Sequence, residues 1–100
     1  MKIYIVLEGG ENMEMLKIVL EMMLLELELQ GISEERIAEL KETSITVADM
    51  IDQKTGVPAA SGLVREMYAT DTKYLKKRVK RVARMLIGYC NESADKSEKI

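Results

Sequence analysis

The stretch from Glu11 to Gln30 constrains the fold of this chain more than any other part of the sequence. It is rich in Leu, Met and Glu, contains neither proline nor glycine, and is followed by Gly31. These three residue types are good helix formers, and glycine is favoured just after a helix end. The stretch therefore predicts one long helix. Its last part, residues 25–30, also alternates with a period of two, so a half-buried strand is the alternative there.

The polar residues of this predicted helix leave most of its surface apolar. On a helical wheel one narrow stripe holds four charged residues, and Glu26 lies apart from it. The stripe consists of Glu14, Lys17, Glu21 and Glu28. So wide an apolar surface must be covered on several sides, which is expected of a buried core helix and also of a helix at a homodimer interface.

A short strand is predicted at the N-terminus. Residues 2–7 are rich in Ile, Val and Tyr and precede Gly9-Gly10, which reads as a tight turn. A lone strand needs a partner, and residues 25–30, residues 44–47 or the same strand of a second copy are the candidates. Pairing with a second copy again favours a dimer.

The rest of the chain is punctuated by helix start and stop signals. Ser33 is positioned to cap a short helix through Lys41 or Glu42. The sequence T-V-A-D from Thr46 matches a capping box that starts a second short helix ending at Gly56. Pro58 then fits the first position of a helix through residue 69. Asp71 is positioned to cap a long last helix through residue 91.

Together these signals predict the fold class. We expect a mainly α-helical single domain over residues 1–92, with about five helices and one short N-terminal β-strand, assembled as a homodimer. Residues 93–100 are polar and are expected to fray. An apolar fraction of 47% and a charged fraction of 32% are typical of a globular chain.

Composition excludes most catalytic and metal sites. The chain has no histidine and a single cysteine, Cys90, so His-dependent triads, His metal sites and an internal disulfide are excluded. The carboxylate pairs Asp49/Asp52 and Glu35/Glu39 are each typical of solvated helix surface. We therefore expect no enzyme, no cofactor and no metal. No apolar run is long enough to cross a bilayer, and a cytoplasmic location is the default.

The strongest functional feature is a basic stripe in the last predicted helix. It belongs to a C-terminal half, residues 54–100, with a net charge of +6, whereas residues 1–53 have a net charge of −8. The wheel places six cations on one arc and the apolar residues, Tyr74 among them, on the other side, with Arg78 apart from the stripe. The six cations are Lys73, Lys76, Lys77, Lys80, Arg81 and Arg84. Six cations without an acidic neighbour lack the opposite-charge pairs that usually stabilise a helix surface.

Residues 46–67 carry a second feature. They read T-V-A-D-M-I-D-Q, a turn at K-T-G-V-P, and then A-A-S-G-L-V-R-E-M, which resembles the helix-turn-helix of small transcription regulators. The resemblance implies that the second helix enters the major groove of DNA. Its DNA-facing residues would be Pro58, Ala59, Ala60, Ser61 and Arg65. The alternative is two short helices joined by a glycine-terminated turn, as in any helical domain.

These features lead to two hypotheses about function. The first is nucleic-acid binding, with DNA favoured over RNA, through the six cations and Arg65. The second is a structural or adaptor module whose basic helix binds an acidic protein surface or its own dimer mate, for example through Glu34, Glu35, Glu39 and Glu42. Plain solvation of the stripe needs no partner at all. An anionic membrane is disfavoured because the apolar face has neither Trp nor Phe, and no small-molecule ligand is indicated.

Overall fold

The computed structural model of the chain describes residues 13–56, 59–70 and 74–98, and it describes side chains as far as residue 91, except at residue 70. The strand predicted over residues 2–7, the Gly9-Gly10 turn and Lys73 lie outside these ranges. Within them the chain forms helices and turns, which confirms the mainly α-helical prediction. Residues 25–28 belong to the first helix, so the alternative of a strand there is wrong.

The described residues form four helices in succession. They are α1 (Met13–Glu28), α2 (Glu34–Thr55), α3 (Ala60–Thr70) and α4 (Leu75–Glu98). The fourth ends beyond residue 91, where we predicted it to end. Each helix packs on the next, and α4 also packs on α1 and α2, so that one apolar core runs along the bundle. Among the described residues, no Cα atom of α3 lies within 8 Å of a Cα atom of α1.

The turn between α1 and α2 follows the sequence signals. Gly31 has a φ of +80°, the left-handed conformation that glycine adopts without strain. Ser33 caps α2 by accepting a hydrogen bond from the Arg36 backbone N–H at 3.1 Å, as predicted. The Arg36 guanidinium then reaches back to the Glu26 carboxylate of α1 at 2.5 Å. Glu26, which lay apart from the polar stripe, thereby has a partner.

Helix α2 is one continuous helix, so the prediction of two short helices is wrong. Two threonine hydroxyls of α2, including that of Thr46, which was predicted to cap a new helix, bond to carbonyls of the preceding turn. Thr46 does not cap a new helix, because its Oγ1 donates to the Glu42 carbonyl at 3.2 Å. Thr43 Oγ1 donates in the same way to the carbonyl of Glu39 at 3.0 Å. Such bonds to residue i−4 are compatible with an uninterrupted helix.

Helices α2 and α3 run side by side in opposite directions. Three contacts at successive levels establish this. They join Asp52 to the start of α3 at Ala60 and Ser61, Asp49 to Arg65, and Ser44 to Tyr68. A helix-turn-helix crosses its helices at roughly 90–120°, whereas an αα-hairpin aligns them. The pair is therefore an αα-hairpin, and the helix-turn-helix resemblance is not confirmed.

The Asp52 carboxylate is the cap of α3. Its Oδ1 accepts the backbone N–H of Ala60 at 2.9 Å, and its Oδ2 accepts the backbone N–H of Ser61 at 3.1 Å. The Ser61 hydroxyl donates to the same Oδ2. These bonds satisfy N–H groups that have no partner within the helix. Gly56, with a φ of +76°, ends α2 and donates its N–H to the Asp52 carbonyl at 2.8 Å.

Helix α4 buries the apolar face that the sequence predicts. Its buried residues are Val79, Val82, Ala83, Leu86 and Cys90. They meet Leu16, Leu20 and Met23 of α1 in the same hydrophobic cluster. Within the described ranges, no helix combines the length and apolar character needed to cross a membrane.

Candidate nucleic-acid interface

The solvent face of α4 carries a line of cations. Lys77, Arg81, Arg84, Gly88 and Asn91 are all exposed. Their spacing of four, three, four and three residues keeps them on one side of a helix with 3.6 residues per turn. This line lies opposite the buried apolar residues of the same helix. The structure thus places three of the predicted cations together on an open surface.

The other predicted residues of the stripe are placed differently. Lys80 is partly exposed beside the line. Lys76 is also partly exposed, and its Nζ lies 3.4 Å from the backbone carbonyl of Leu29, just after the end of α1. That carbonyl is one of the acceptors that a helix end leaves without an internal partner. Lys76 therefore links α4 to α1.

The cations of the line are not neutralised within the described part of the chain. Lys77, Lys80, Arg81 and Arg84 form no salt bridge there. Glu39, one of the carboxylates considered as a partner for the stripe in a dimer mate, bonds to Arg36 of its own chain at 2.7 Å. We call the group Lys77, Lys80, Arg81 and Arg84 the α4 basic face.

The residues suggested by the helix-turn-helix resemblance do not join this face. Ala60 and Ser61 are buried, and Asp52 holds the Ser61 hydroxyl, so neither residue faces solvent. Arg65 is exposed, but its Nη2 lies 3.3 Å from both carboxylate oxygens of Asp49 on α2. Pro58 lies outside the described residues.

An exposed aromatic residue stands at the start of the α4 basic face. Tyr74 is 73% exposed and has a φ of +57°, the only positive φ at a described residue other than glycine. Its carbonyl accepts the backbone N–H of Arg78 at 3.1 Å, so it is the residue from which α4 begins. The Nζ of Lys77 lies 5.5 Å from the centre of the Tyr74 ring, within cation–π range.

Periodicity predicts Tyr74 on the buried side of the last helix, with Asp71 as its cap, and therefore does not identify Tyr74 as a surface residue. Asp71 lies outside the described residues. The wheel assumes helical geometry at every position, and the left-handed backbone at Tyr74 turns its side chain out of that register.

Tyr74 also borders an open cleft of about 400 Å³. The cleft lies between the start of α2 and the start of α4 and is lined by Glu34, Ile37, Tyr74, Leu75 and Lys76. Ile37 is buried and Leu75 partly buried, so the floor is apolar. Glu34 and Lys76, which carry opposite charges, lie at the edge of the cleft.

Two titratable groups lie in the core. Burial raises the pKa of Tyr68 to about 12 and that of the Cys90 thiol to about 11, although a hydrogen bond with Ser44 and the charge of Lys17, respectively, oppose these shifts. The Tyr68 hydroxyl lies 2.6 Å from Ser44 Oγ, which donates to the Lys41 carbonyl at 2.6 Å. Both groups are buried and neutral, and the Tyr68 hydroxyl has a hydrogen-bond partner, which is typical of core residues rather than of a reactive site.

A scan against protein-family models found no match, and searches of curated proteins and of solved structures found no similar protein. Over the described residues, no group of three or more acidic or Cys side chains is arranged to hold a metal ion.

Proposed function

We propose that this protein binds nucleic acid through phosphate contacts made by the α4 basic face. The observation that supports the proposal is the exposure of Lys77, Arg81 and Arg84 in one line, without a salt bridge to any of them within the described residues. Like charges on successive turns repel one another, and a polyanion relieves that repulsion while releasing its own counterions. Lys76, Arg65 and Lys73 are further candidates, although Lys76 and Arg65 already have partners within the chain.

Salt dependence tests the proposal. Each phosphate neutralised contributes about −0.9 to the slope of log K against log salt for duplex DNA, so four to six contacts give a slope of about −4 to −5. Fluorescence anisotropy with a short mixed-sequence duplex, titrated at several salt concentrations, measures that slope. The absence of binding to duplex or single strands at low salt would overturn the proposal.

A matched pair of triple variants distinguishes binding through the α4 basic face from binding through the overall net charge. Replacing Lys77, Arg81 and Arg84 with Gln removes three proposed contacts, and the slope should become shallower by about 2.7. Replacing Lys17, Lys41 and Lys54 with Gln lowers the net charge equally but leaves α4 intact. If both triple variants weaken binding to the same degree, the interaction is with overall charge and not with α4.

A second candidate is a self-associating adaptor, in which the outer face of α1 contacts a second copy. Ile18 and Leu25 of α1 and Leu29 just after its end are exposed, which is unusual for large apolar residues grouped on one surface. Glu14, Glu21 and Glu28 lie beside them and offer negative charge to the α4 basic face of the other copy. A homodimer formed in this way would use both features.

Sedimentation velocity over a range of protein concentrations tests the adaptor. Leu25→Lys should abolish concentration-dependent association if the α1 face is the contact. Lys54→Gln, a change at an exposed residue near the end of α2, is the control and should leave association unaltered. Sedimentation as a monomer at every concentration would contradict the adaptor and leave the nucleic-acid proposal standing.

A further inference from the structure

We infer that the nucleic acid is single-stranded and that one unpaired base stacks on Tyr74 over the cleft at the start of α4. The inference rests on the proposed function and identifies the ligand class for the same face. It is carried by three features that lie together. They are an aromatic ring held out in solvent, a cleft with an apolar floor beside it, and the cations that follow along the helix.

Tyr74 is unusual both in the exposure of its ring and in its backbone conformation. Its ring is the most exposed large apolar side chain among the described residues, and its backbone adopts a left-handed conformation that bulky residues rarely adopt. Neighbouring apolar side chains, Ile37 and Leu75, line the cleft beside it. An aromatic ring beside an apolar cleft is the platform on which proteins stack unpaired bases, because every base has an apolar face.

The positions of the charged side chains indicate the path of the bound strand along α4. Lys77 lies one turn after Tyr74 and within 5.5 Å of its ring, and Arg81 and Arg84 continue the line away from the cleft. Glu34, at the edge of the cleft, repels phosphate. A backbone running along Lys77 to Arg84 therefore places its phosphates on the cations and turns a base toward Tyr74.

Duplex DNA cannot satisfy this arrangement without being opened. Its bases are stacked and paired, so a ring at the helix start meets sugar and phosphate instead of a base face. The α4 basic face alone would still attract a duplex through charge. Single strands should therefore bind more tightly than duplexes of the same length at the same salt concentration.

The test uses two substitutions at Tyr74 in the full chain. Tyr74→Gly removes the ring and accepts the left-handed backbone without strain, so the fold should be at least as stable and any loss of binding cannot come from unfolding. Tyr74→Phe keeps the ring. The probe is a thymidine oligonucleotide of about 12 nucleotides, a typical length for single-strand sites, with one central 2-aminopurine whose fluorescence reports stacking.

Wild type and Tyr74→Phe should bind the single strand alike and change 2-aminopurine fluorescence, whereas Tyr74→Gly should bind about five-fold or more weakly without that change. Duplex binding should be the same in all three. Equal binding of the single strand by wild type and Tyr74→Gly would overturn the inference while leaving the proposed function intact. If the wild-type protein binds neither the single-stranded oligonucleotide nor a duplex at low salt, the proposed function itself is wrong.

Discussion

The Glu26 carboxylate and the Arg36 guanidinium meet face to face across the turn between α1 and α2. Glu26 Oε1 lies 2.5 Å from Arg36 Nε, and Glu26 Oε2 lies 3.0 Å from Arg36 Nη2. Glu39 adds a third bond to Arg36 Nη1 at 2.7 Å. These bonds raise the pKa of Arg36 above its ordinary value, so its guanidinium remains charged. Two-point contact of this kind fixes direction as well as distance.

Glu26→Gln should therefore destabilise the fold by about 1–2 kcal/mol, because it replaces a two-point contact between opposite charges with a single hydrogen bond from Arg36 to a neutral amide oxygen. Glu28→Gln, two residues along and exposed, removes the same charge and should change the free energy of unfolding by less than about 0.5 kcal/mol. Urea denaturation of both variants measures the difference. Equal effects would mean that the Glu26–Arg36 contact adds nothing beyond its charge.

Asp52 and Asp49 give a second contrast within one helix. Asp52→Ala removes the cap of α3 and leaves the buried Ser61 hydroxyl without its acceptor, so we expect a loss of about 1–3 kcal/mol. Asp49→Ala breaks only an exposed salt bridge to Arg65 and should cost at most about 1 kcal/mol. Thermal unfolding followed by circular dichroism ranks the two. A larger loss for Asp49→Ala would show that the cap is not the dominant contact.

Stability should fall in alkaline solution. The pKa values of Tyr68 and Cys90 are raised to about 12 and about 11 from ordinary values of 10.0 and 9.0. The unfolded chain therefore loses these protons first, so the contribution of each group is complete below its ordinary pKa and is lost as the pH rises toward the folded value. Each group adds a slope of up to about 1.4 kcal/mol per pH unit.

Denaturation at a series of pH values between 8 and 12 measures this slope. Tyr68→Phe should flatten the upper part of the fall and Cys90→Ala the lower part, whatever each variant does to stability at neutral pH. A wild-type slope that survives both substitutions would assign the fall to other groups.

Two glycines with equal space around them should respond in opposite directions to alanine. Nothing lies within 4 Å of a Cβ built on either Gly88 or Gly56. Gly88 is within α4, where alanine is favoured over glycine by up to about 1 kcal/mol, so Gly88→Ala should stabilise the protein. Gly56 has a φ of +76°, which costs an alanine about 1 kcal/mol, so Gly56→Ala should destabilise it. Denaturation midpoints that move in the same direction would contradict this account.

Local signals in the sequence were sufficient for some elements and not for others. The cap at Ser33 and the helix end at Gly56 depend on neighbours within a few residues, and both are confirmed. Thr46 could either cap a helix or bond to a preceding carbonyl. Ser44, two residues before it, is fully buried against Tyr68, a contact with α3 that holds this part of α2 in the helix. No periodicity along the chain reveals that contact.

The candidate site likewise includes features that local sequence patterns predict and features that they do not. Periodicity predicted that Lys77, Arg81 and Arg84 share a face, because a helical wheel needs only the helix. It could not predict that Lys76 bonds to the end of α1 or that Arg65 pairs with Asp49, since those partners are distant in sequence. The exposure of Tyr74 was not predicted, because a single left-handed residue changes the direction of a side chain without leaving a compositional signal.

Within the described residues, α3 packs on α2 and α4 and does not pack on α1. Helix α3 is the shortest of the four, with 11 residues, and it buries small side chains apart from Val64 and Tyr68. Its amide protons should exchange with solvent earlier than those in the buried turns of α1 and α4, because α3 can separate from α2 and α4 without breaking the contacts between α1 and α4. The surface proposed to bind nucleic acid would then stay in place while α3 opens and closes.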